Sequence, residues 1–283
     1  MASDAYAPTA PPRTPGATST PAGAEQRNDG YGVTWPRVLH SEWAKLWSLR
    51  STWISLIATC VVTVVLGMAV AGTYESGSAD SDVGPVELTL LGTQFGQIMI
   101  AVLGVLVTAG EYATGMIRAT FAAVPRRLPV LWAKATVFGA VAFAVMLVTV
   151  FLTFPLAQGF LSGTDMEAGL GDPGVVRALC GAAAGIALSG VLCLGFGALL
   201  RGVPAAIGAY IGAVLVLPEV AGLLPYGAVD DITAYLPSKA TYALMATHHG
   251  PDLLAPGPAL LAMGCWVAVT LAAAALLIKR RDV

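Results

Sequence analysis

The sequence predicts an all-α membrane protein that crosses the bilayer six times, and two properties of its composition carry that prediction. The chain has 283 residues, of which 56% are apolar and only 11% are charged, whereas soluble domains carry about 25% charged residues. A water-soluble fold of this length could not cover its surface with so few charges. The apolar residues also fall into long blocks, and a helix needs about 20 of them to cross the hydrocarbon core.

The limits of the apolar blocks give the predicted spans, and the loops between them alternate in charge. Of the 15 lysines and arginines, 13 precede the first block or follow the second, fourth and sixth blocks, with Arg177 and Lys239 as the exceptions. Cytoplasmic loops are enriched in these residues, so we expect a multi-pass protein of the cell membrane with both termini in the cytoplasm. The six blocks occupy residues 53–73, 88–109, 130–155, 175–200, 203–217 and 258–278.

Residues 1–34 differ in composition from the rest of the chain. They are rich in proline, alanine, threonine and glycine and contain no apolar block, so they cannot bury enough surface to offset the entropy of ordering. We interpret them as a disordered cytoplasmic tail and residues 35–283 as one membrane domain. The four cysteines lie within apolar blocks, where they are expected to pack as small apolar residues, and no spacing of residues indicates a metal site.

Residues 35–50 predict an amphipathic helix in front of the first span. Their apolar side chains recur at helical spacing, with basic and polar residues between them. Tryptophans beside basic residues are typical of a helix that lies in the membrane interface. The alternative is a straight cytoplasmic extension of the first span. The apolar positions are Trp35, Val38, Leu39, Trp43, Leu46 and Trp47.

A second short helix is predicted after the second span. The pattern from Tyr112 to Ala123 is helical, and Pro125 ends it because proline cannot continue the hydrogen-bond ladder. A short helix that projects from a membrane domain is suited to a groove on a partner protein. The alternative is anchoring to anionic headgroups by the surrounding bases, which are Arg118, Arg126, Arg127 and Lys134.

Small residues four positions apart indicate close helix packing in two spans. Gly181, Gly185 and Ser189 share one face of the fourth span, and Gly208 and Gly212 share one face of the fifth. Such residues allow two helices to approach closely. We therefore expect a compact bundle.

The region after the fifth block combines helix-breaking residues with an unusual acid. Pro218 should break the helix, and residues 219–250 predict a re-entrant or short interfacial helix pair. Glu219 is the only acid inside an apolar run, so it is a candidate for the transport pathway, or it meets water near the headgroups. His248 and His249 are adjacent and make a poor metal site.

The chain lacks the sequence motifs of the common energy-converting and hydrolytic sites. It contains no G-x-x-x-x-G-K-[ST] phosphate loop, no H-E-x-x-H pair and no G-x-S-x-G turn. Its spans hold almost no ionisable groups of the kind that ion-driven transporters use. We therefore expect no catalytic activity and no cofactor in this chain, so that any transport takes its energy from another subunit.

Two sequence motifs resemble those of bacterial ABC exporter permeases of the type-2 class. The first is S-E-W-A-K-L at residues 41–46, ahead of a span that opens with Trp53. The second is G-E-Y-A-T-G-M-I-R-A-T-F at residues 110–121, followed by P-R-R at 125–127. The basic ending, Lys279 to Asp282, is also similar, and the resemblance covers residues 35–283.

The resemblance implies that two permeases, identical or related, form the membrane part of an exporter that uses separate ATPase subunits with their ATP and magnesium. The segment at about 110–129 is then the coupling segment that sits in a groove of the ATPase. Its contacts would come from Glu111, Arg118 and Phe121, with Glu42 and Lys45 on the elbow helix, or these five residues only anchor the chain at the interface. The expected partners are an ABC ATPase, a second permease and the lipid bilayer, with no nucleic acid among them.

The substrate cannot be read from the small apolar residues, which suit drugs, lipids, peptides or glycan-lipids. A different hypothesis is a non-transporting membrane anchor or sensing subunit of a resistance module. A third is an intramembrane lipid enzyme, whose only candidate residues are the paired histidines and Glu219.

Overall fold

The fold was analysed in a computed structural model that describes residues 34–76, 83–123, 127–223, 231–247 and 253–280. The regular structure of these residues is helical, without strands. Six helices are long and apolar enough to cross a membrane, which confirms the predicted all-α polytopic fold. They are Arg50–Gly72, Thr93–Ala113, Leu128–Leu161, Val175–Leu200, Val203–Ala221 and Pro256–Arg280, here called the first to sixth spans.

Side-chain contacts fix the directions of the spans. The first and third spans run parallel. Thr149 Oγ1 donates to Cys60 Sγ at 3.1 Å, and further along both helices Gly67 faces Thr153. The second and fourth spans also run parallel, because Gln97 pairs with Ser189 and Gly197 packs against Val105. The first and second spans run in opposite directions, because Gly92 lies against Gly67 and Gly96 lies against Thr59. The first span therefore begins at the end of the bundle where the second and fourth spans finish, and we call this the basic end.

The fourth span is the central helix of the bundle, with 72% of its most apolar stretch buried. Its glycines leave room for three sets of neighbours. A Cβ atom at Gly190 would lie 2.7 Å from Ile100 Cγ2 and 2.9 Å from Phe138 Cε1, and one at Gly195 would lie 2.6 Å from Thr270 Cγ2. The span is therefore enclosed by the second, third and sixth spans at distances that only glycine permits.

The predicted small-residue face of the fourth span is confirmed, and it packs against a short helix, Pro237–Met245. A Cβ atom at Gly181 would overlap the Leu244 carbonyl, and one at Gly185 would lie 2.9 Å from Thr241 Cγ2. Ser189, on the same face, lies 3.3 Å from the Thr241 hydroxyl. The short helix thus reaches about the middle of the fourth span, and we call it the re-entrant helix.

Non-helical backbone next to the re-entrant helix also lies at membrane depth. Trp266, ten residues into the sixth span, donates its indole N–H to the Tyr235 carbonyl at 3.0 Å. At the other end of the re-entrant helix, Arg177 donates to the Ala246 carbonyl at 2.6 Å, and Thr247 donates to the buried Glu87 carboxylate. Irregular backbone is tolerated at this depth where protein groups bind it. Of the expected re-entrant or interfacial helix pair, the described residues show the helix Pro237–Met245 packed along the fourth span, while His248 and His249 lie outside the described residues.

The packing predicted for Gly208 and Gly212 is wrong within this chain. Apart from its chain neighbours and the backbone of its own helix, no atom of the described residues lies within 4 Å of a Cβ built on either glycine. The fifth span buries Ala206, Tyr210 and Val214 instead. These recur every four residues and are offset by two from the glycines, which places the glycines on roughly the opposite face of the helix.

Pro218 does not break the fifth span, contrary to expectation. Residues Tyr210–Val216 form a π-helix, and an α-helical turn, Leu217–Ala221, continues from it. Proline lacks an N–H and its ring clashes with the carbonyl four residues earlier. The wider π-helical turn removes that carbonyl from its usual place, so the helix accommodates the proline and continues.

Two predicted span limits are also wrong. The second span begins at Thr93 rather than 88, because Pro85–Thr89 forms a separate short helix. A tight turn follows it, where a Cβ on Gly92 would overlap the first-span backbone. The third span continues through Pro155 to Leu161. The tail that we interpreted as disordered, residues 1–34, lies outside the described residues except for Thr34.

The crossing of the second and fourth spans gives a stability prediction. A Cβ atom at Gly104 would overlap the Gly190 carbonyl, so Gly104→Ala must push two helices apart. We expect its free energy of unfolding in detergent to fall by about 1–3 kcal/mol. The matched control is Gly264→Ala in the sixth span, where the Cβ meets open space and alanine should be neutral or stabilising by about 0.5–1 kcal/mol. Equal stability of the two variants would contradict the close crossing.

Candidate functional site

The corner between the first helix and the first span is fixed by tryptophans. The first helix, Trp35–Ser48, ends at Leu49, whose backbone is extended. The rings of Trp47 and Trp53 lie 4.2 Å apart between centroids, and Trp53 donates its indole N–H to the Trp47 carbonyl at 3.1 Å. The alternative of a straight extension of the first span is therefore wrong, and we call this first helix the elbow helix.

The buried face of the elbow helix contains a carboxylate. Val38, Glu42 and Leu46 are its buried residues, and their four-residue spacing places them on one face. Val38 packs against Val130 and Ala133 of the third span. A carboxylate in such an apolar stripe is stable only when it is paired and hydrogen-bonded.

Two lysines and a second glutamate surround Glu42. Lys134 Nζ of the third span lies 2.8 Å from Glu42 Oε2 and 2.8 Å from Glu111 Oε1, the latter at the end of the second span. Lys45 Nζ lies 2.6 Å from Glu42 Oε1 and 3.5 Å from Glu111 Oε1. These four residues, which we call the charge cluster, join the elbow helix, the second span and the third span.

The charge cluster is buried without a net charge. The side chains of Glu42, Glu111 and Lys134 are at most 6% exposed, and that of Lys45 is 29% exposed. Two ammonium groups balance two carboxylates, which limits the cost of desolvating them. Removing one inner charge would leave its partner uncompensated, so the cluster favours one arrangement of the three helices.

A short helix after the second span is attached to the same cluster. Met116–Ala123, here called the loop helix, follows a turn at Gly115, whose φ of 73° is in the left-handed region that favours glycine. Lys45 Nζ donates to Thr120 Oγ1 of this helix at 3.2 Å. Ile117 is buried and Arg118 is exposed, so the loop helix is fixed on one side and presents a base on the other.

The structure brings some of the predicted contact residues together and separates others. Glu42, Lys45 and Glu111 belong to the charge cluster. Because Glu42 and Glu111 are buried within this chain, their carboxylates are not part of the surface that a partner would touch. Arg118 is exposed, and Phe121 lies in the loop helix but its side chain is outside the described part, as is Arg126.

Glu219 lies apart from the cluster, in the last turn of the fifth span. Its carboxylate pairs with Lys239 of the re-entrant helix at 3.2 Å, and both side chains are exposed. Lys239 and Arg177 are the two bases that do not follow the alternating charge pattern of the loops. Lys239 pairs with Glu219, and Arg177 donates to the Ala246 carbonyl. Both bases bind groups at or near the re-entrant helix. Whether Glu219 belongs to a transport pathway stays a prediction.

Lys134 is the cluster residue that sequence reasoning missed, because it was counted among the loop bases. A signal was available. Val130, Phe138 and Ala142 are buried, and Lys134 continues their four-residue spacing into the buried face of the third span. A lysine at such a position requires a buried acid, and Glu42 occupies the equivalent position between Val38 and Leu46.

The basic end carries one further contact between spans. The Arg201 guanidinium lies over the Tyr112 ring, 5.2 Å from its centroid. Arg201 ends the fourth span with a φ of 55°, and Tyr112 lies beside Glu111 in the last turn of the second span. This cation–π contact therefore ties the central helix to the segment that leads into the loop helix.

Comparison with known proteins gives no match, since no family model, no curated protein and no solved structure is significantly similar to the chain. Within the described residues, no group of three or more histidine, cysteine, aspartate or glutamate side chains could hold a metal ion. The four cysteines are free. At the basic end, paired charges join the elbow helix to the second and third spans.

The charge cluster predicts a ranking of two lysine variants. Lys134→Met leaves two carboxylates buried with only the partly exposed Lys45, and we expect the free energy of unfolding to fall by about 3–5 kcal/mol. Lys45→Met should cost less, because Glu42 and Glu111 both keep Lys134. Denaturant unfolding of the purified chain in detergent measures both. If Lys45→Met were as destabilising as Lys134→Met, the inner lysine would not be the centre of the cluster.

Proposed function

We propose that this chain is the membrane-spanning permease subunit of an ATP-driven exporter, working with a separate ATPase of the ABC type. Six spans support a membrane role. The resemblance of residues 41–46 and 110–121 to type-2 exporter permeases supplies the class. The substrate is unidentified and belongs to the drug, lipid or peptide classes that small apolar residues can accommodate.

The proposal rests on one observation: the loop helix is connected to the membrane helices. The Lys45–Thr120 hydrogen bond attaches the loop helix to the elbow helix, and the charge cluster attaches the elbow helix to the second and third spans. A partner that binds the loop helix would therefore move several elements together. Such a rigid connection is what a permease needs if ATP hydrolysis in another subunit is to shift its spans.

The charge pattern supports the orientation that this function requires. Lysines and arginines favour the cytoplasmic side of short loops, and the loop helix and the elbow helix lie at the basic end. We place this end in the cytoplasm of a cell whose plasma membrane the chain crosses. A cytoplasmic ATPase would then meet the exposed Arg118 and the loop helix.

The fifth span supports the proposal of a second permease copy. Only 22% of its most apolar stretch is buried, the lowest share among the six spans, and its glycines face open space. Glu219 and Lys239 form an exposed ion pair near this span, although charged groups are unfavourable against lipid. A second copy or a water-filled pathway along this face would provide a polar environment for the pair, which agrees with a pathway role for Glu219.

Purification of the tagged chain from its native membrane, without harsh detergent, tests the proposal. We expect a soluble protein with a phosphate-binding loop to co-purify in stoichiometric amount. Arg118→Glu and Phe121→Ala should remove it, because they change the loop helix. The matched control is Lys279→Glu, a charge reversal at an exposed position at the end of the sixth span, which should leave the complex intact.

Three results would contradict parts of the proposal. If no such ATPase co-purifies, the exporter role is wrong. If Arg118→Glu leaves both the complex and transport unchanged, the contact assignment is wrong. If the ATPase binds but its turnover never responds to any transported compound, the chain is better described as an anchor or sensing subunit.

A further inference from the structure

At the end of the bundle opposite the basic end, two charged side chains hold one peptide group from both sides. Arg177, near the start of the fourth span, donates from Nη2 to the Ala246 carbonyl at 2.6 Å. The Thr247 N–H of the same peptide donates to Glu87 Oε1 at 2.5 Å. Because the carbonyl and the N–H of a trans peptide point in opposite directions, this peptide separates the guanidinium from the carboxylate. We call the two side chains and the peptide between them the peptide clamp.

The two charges of the clamp are not in contact with any opposite charge. Within the described part of the chain, neither Glu87 nor Arg177 takes part in an ion pair. Glu87 is 3% exposed, and Arg177 Nη1 is buried without a hydrogen-bond partner among the described residues. A buried charge that lacks its opposite charge is costly, and so is a buried donor that lacks an acceptor. The observed arrangement therefore leaves the attraction between the two charges largely unused.

The charges and the peptide belong to elements that are held in different ways. The short helix that carries Glu87 contacts the fourth span, and Val86 and Val175, close to the two charges in sequence, are buried in the same core cluster. The peptide instead follows the re-entrant helix. Its carbonyl and N–H lie beyond the last bond of that helix, which Ala246 N–H makes to the Tyr242 carbonyl. The peptide can therefore leave the clamp while both charges and the re-entrant helix keep their positions.

We propose that the peptide clamp has two arrangements. In the arrangement described above, the peptide is inserted between the charges. In the second arrangement the peptide has left, and Arg177 pairs directly with the Glu87 carboxylate. Two parallel N–H···O bonds between a guanidinium and a carboxylate are stronger than neutral hydrogen bonds. The direct pair also gives Nη1 an acceptor and gives each buried charge its opposite charge.

The direct pair lowers the cost of withdrawing the peptide. Withdrawing a peptide from a single buried charge would leave that charge uncompensated. Here each charge exchanges a peptide group for the other charge, so both arrangements can be populated and the outer end of the re-entrant helix acts as a two-state latch. The latch is independent of the proposed export function, because all of its groups belong to this chain.

Zero-length cross-linking of the purified full-length chain in a nonionic detergent tests for the direct pair. A carbodiimide joins an amine to a carboxylate only when the two touch. We therefore expect Arg177→Lys to form an amide bond to Glu87 that accumulates with time, because the inserted peptide keeps the two groups apart and its withdrawal brings them together. Mass spectrometry of the digested chain detects the product. Lys239 and Glu219, which lie 3.2 Å apart with exposed side chains, are the positive control within the same sample.

Alkylation of a cysteine placed next to the clamp measures how often the peptide leaves. Ala246 is 1% exposed, so a maleimide should reach the cysteine of Ala246→Cys only in the second arrangement, once the four native cysteines are changed to alanine. Glu87→Gln keeps an oxygen for the Thr247 N–H but loses the attraction to Arg177. We expect it to slow alkylation about tenfold. The matched control is Glu167→Gln, a neutralised exposed carboxylate in the loop after the third span, which should leave the rate unchanged.

Each measurement can overturn the proposal separately. If the Lys239–Glu219 product forms while Arg177→Lys gives no product with Glu87, the direct pair does not exist. If Glu87→Gln leaves alkylation unchanged or makes it faster, the carboxylate only holds the peptide in place. The alkylation result decides the test if Arg177→Lys does not fold. A cross-link that disappears when Glu87→Gln is added to Arg177→Lys, together with slower alkylation in Glu87→Gln, supports the latch.

Discussion

A charge that is removed from water must meet an opposite charge, and this constraint organises the basic end of the molecule. Glu42 and Lys134 each interrupt an otherwise apolar helix face, and each is tolerable only because the other is within hydrogen-bond distance. The pairing therefore determines where the elbow helix lies on the third span. Glu111 and Lys45 complete the balance, and the loop helix follows from the position of Lys45. The corner at Leu49, held by stacked tryptophans, gives the elbow helix the direction that these contacts need.

A second constraint acts in the middle of the membrane, where no solvent drives helices together. There the fourth span is held by close packing against its neighbours rather than by paired charges. Its glycines let the carbonyl groups and methyl groups of neighbouring helices approach its backbone, which increases the van der Waals contact that holds membrane helices together. The bundle thus has a tightly packed axis, while the fifth span has an open face. This difference fits a molecule whose core is permanent and whose outer faces meet lipid or another protein.

Much of this fold could be predicted from the sequence because hydropathy and loop charge report directly on the bilayer. The six spans, the elbow helix and the loop helix are local patterns of that kind, and the glycine face of the fourth span follows from simple spacing. The limits of the spans could not be found in the same way. Pro155 and Pro218 read as helix ends, yet the third span continues as a helix and the fifth changes to π-helical geometry. Whether a helix continues past proline depends on neighbouring groups rather than on the proline.

The sequence predicted most residues of the candidate site, but it did not predict that they lie together. Glu42, Lys45 and Glu111 were selected as surface residues of two separate segments, because sequence distance hides that the two segments meet. Lys134 was the missing link, and its position on the buried face of its helix was the available clue. The exposed Arg118 was identified by local pattern alone.

The burial of the charge cluster has a consequence for how the protein responds to ionic strength. Dissolved ions screen exposed charges strongly, with a Debye length of about 8 Å under physiological conditions, and they screen buried pairs much less. In the proposed complex, contacts made through Arg118 at the surface would therefore be sensitive to added salt, whereas the ion pairs between the elbow helix and the spans are resistant. Salt would then release the proposed partner from the loop helix while the elbow helix stays attached, so ionic strength alone would separate the external contact from the internal one.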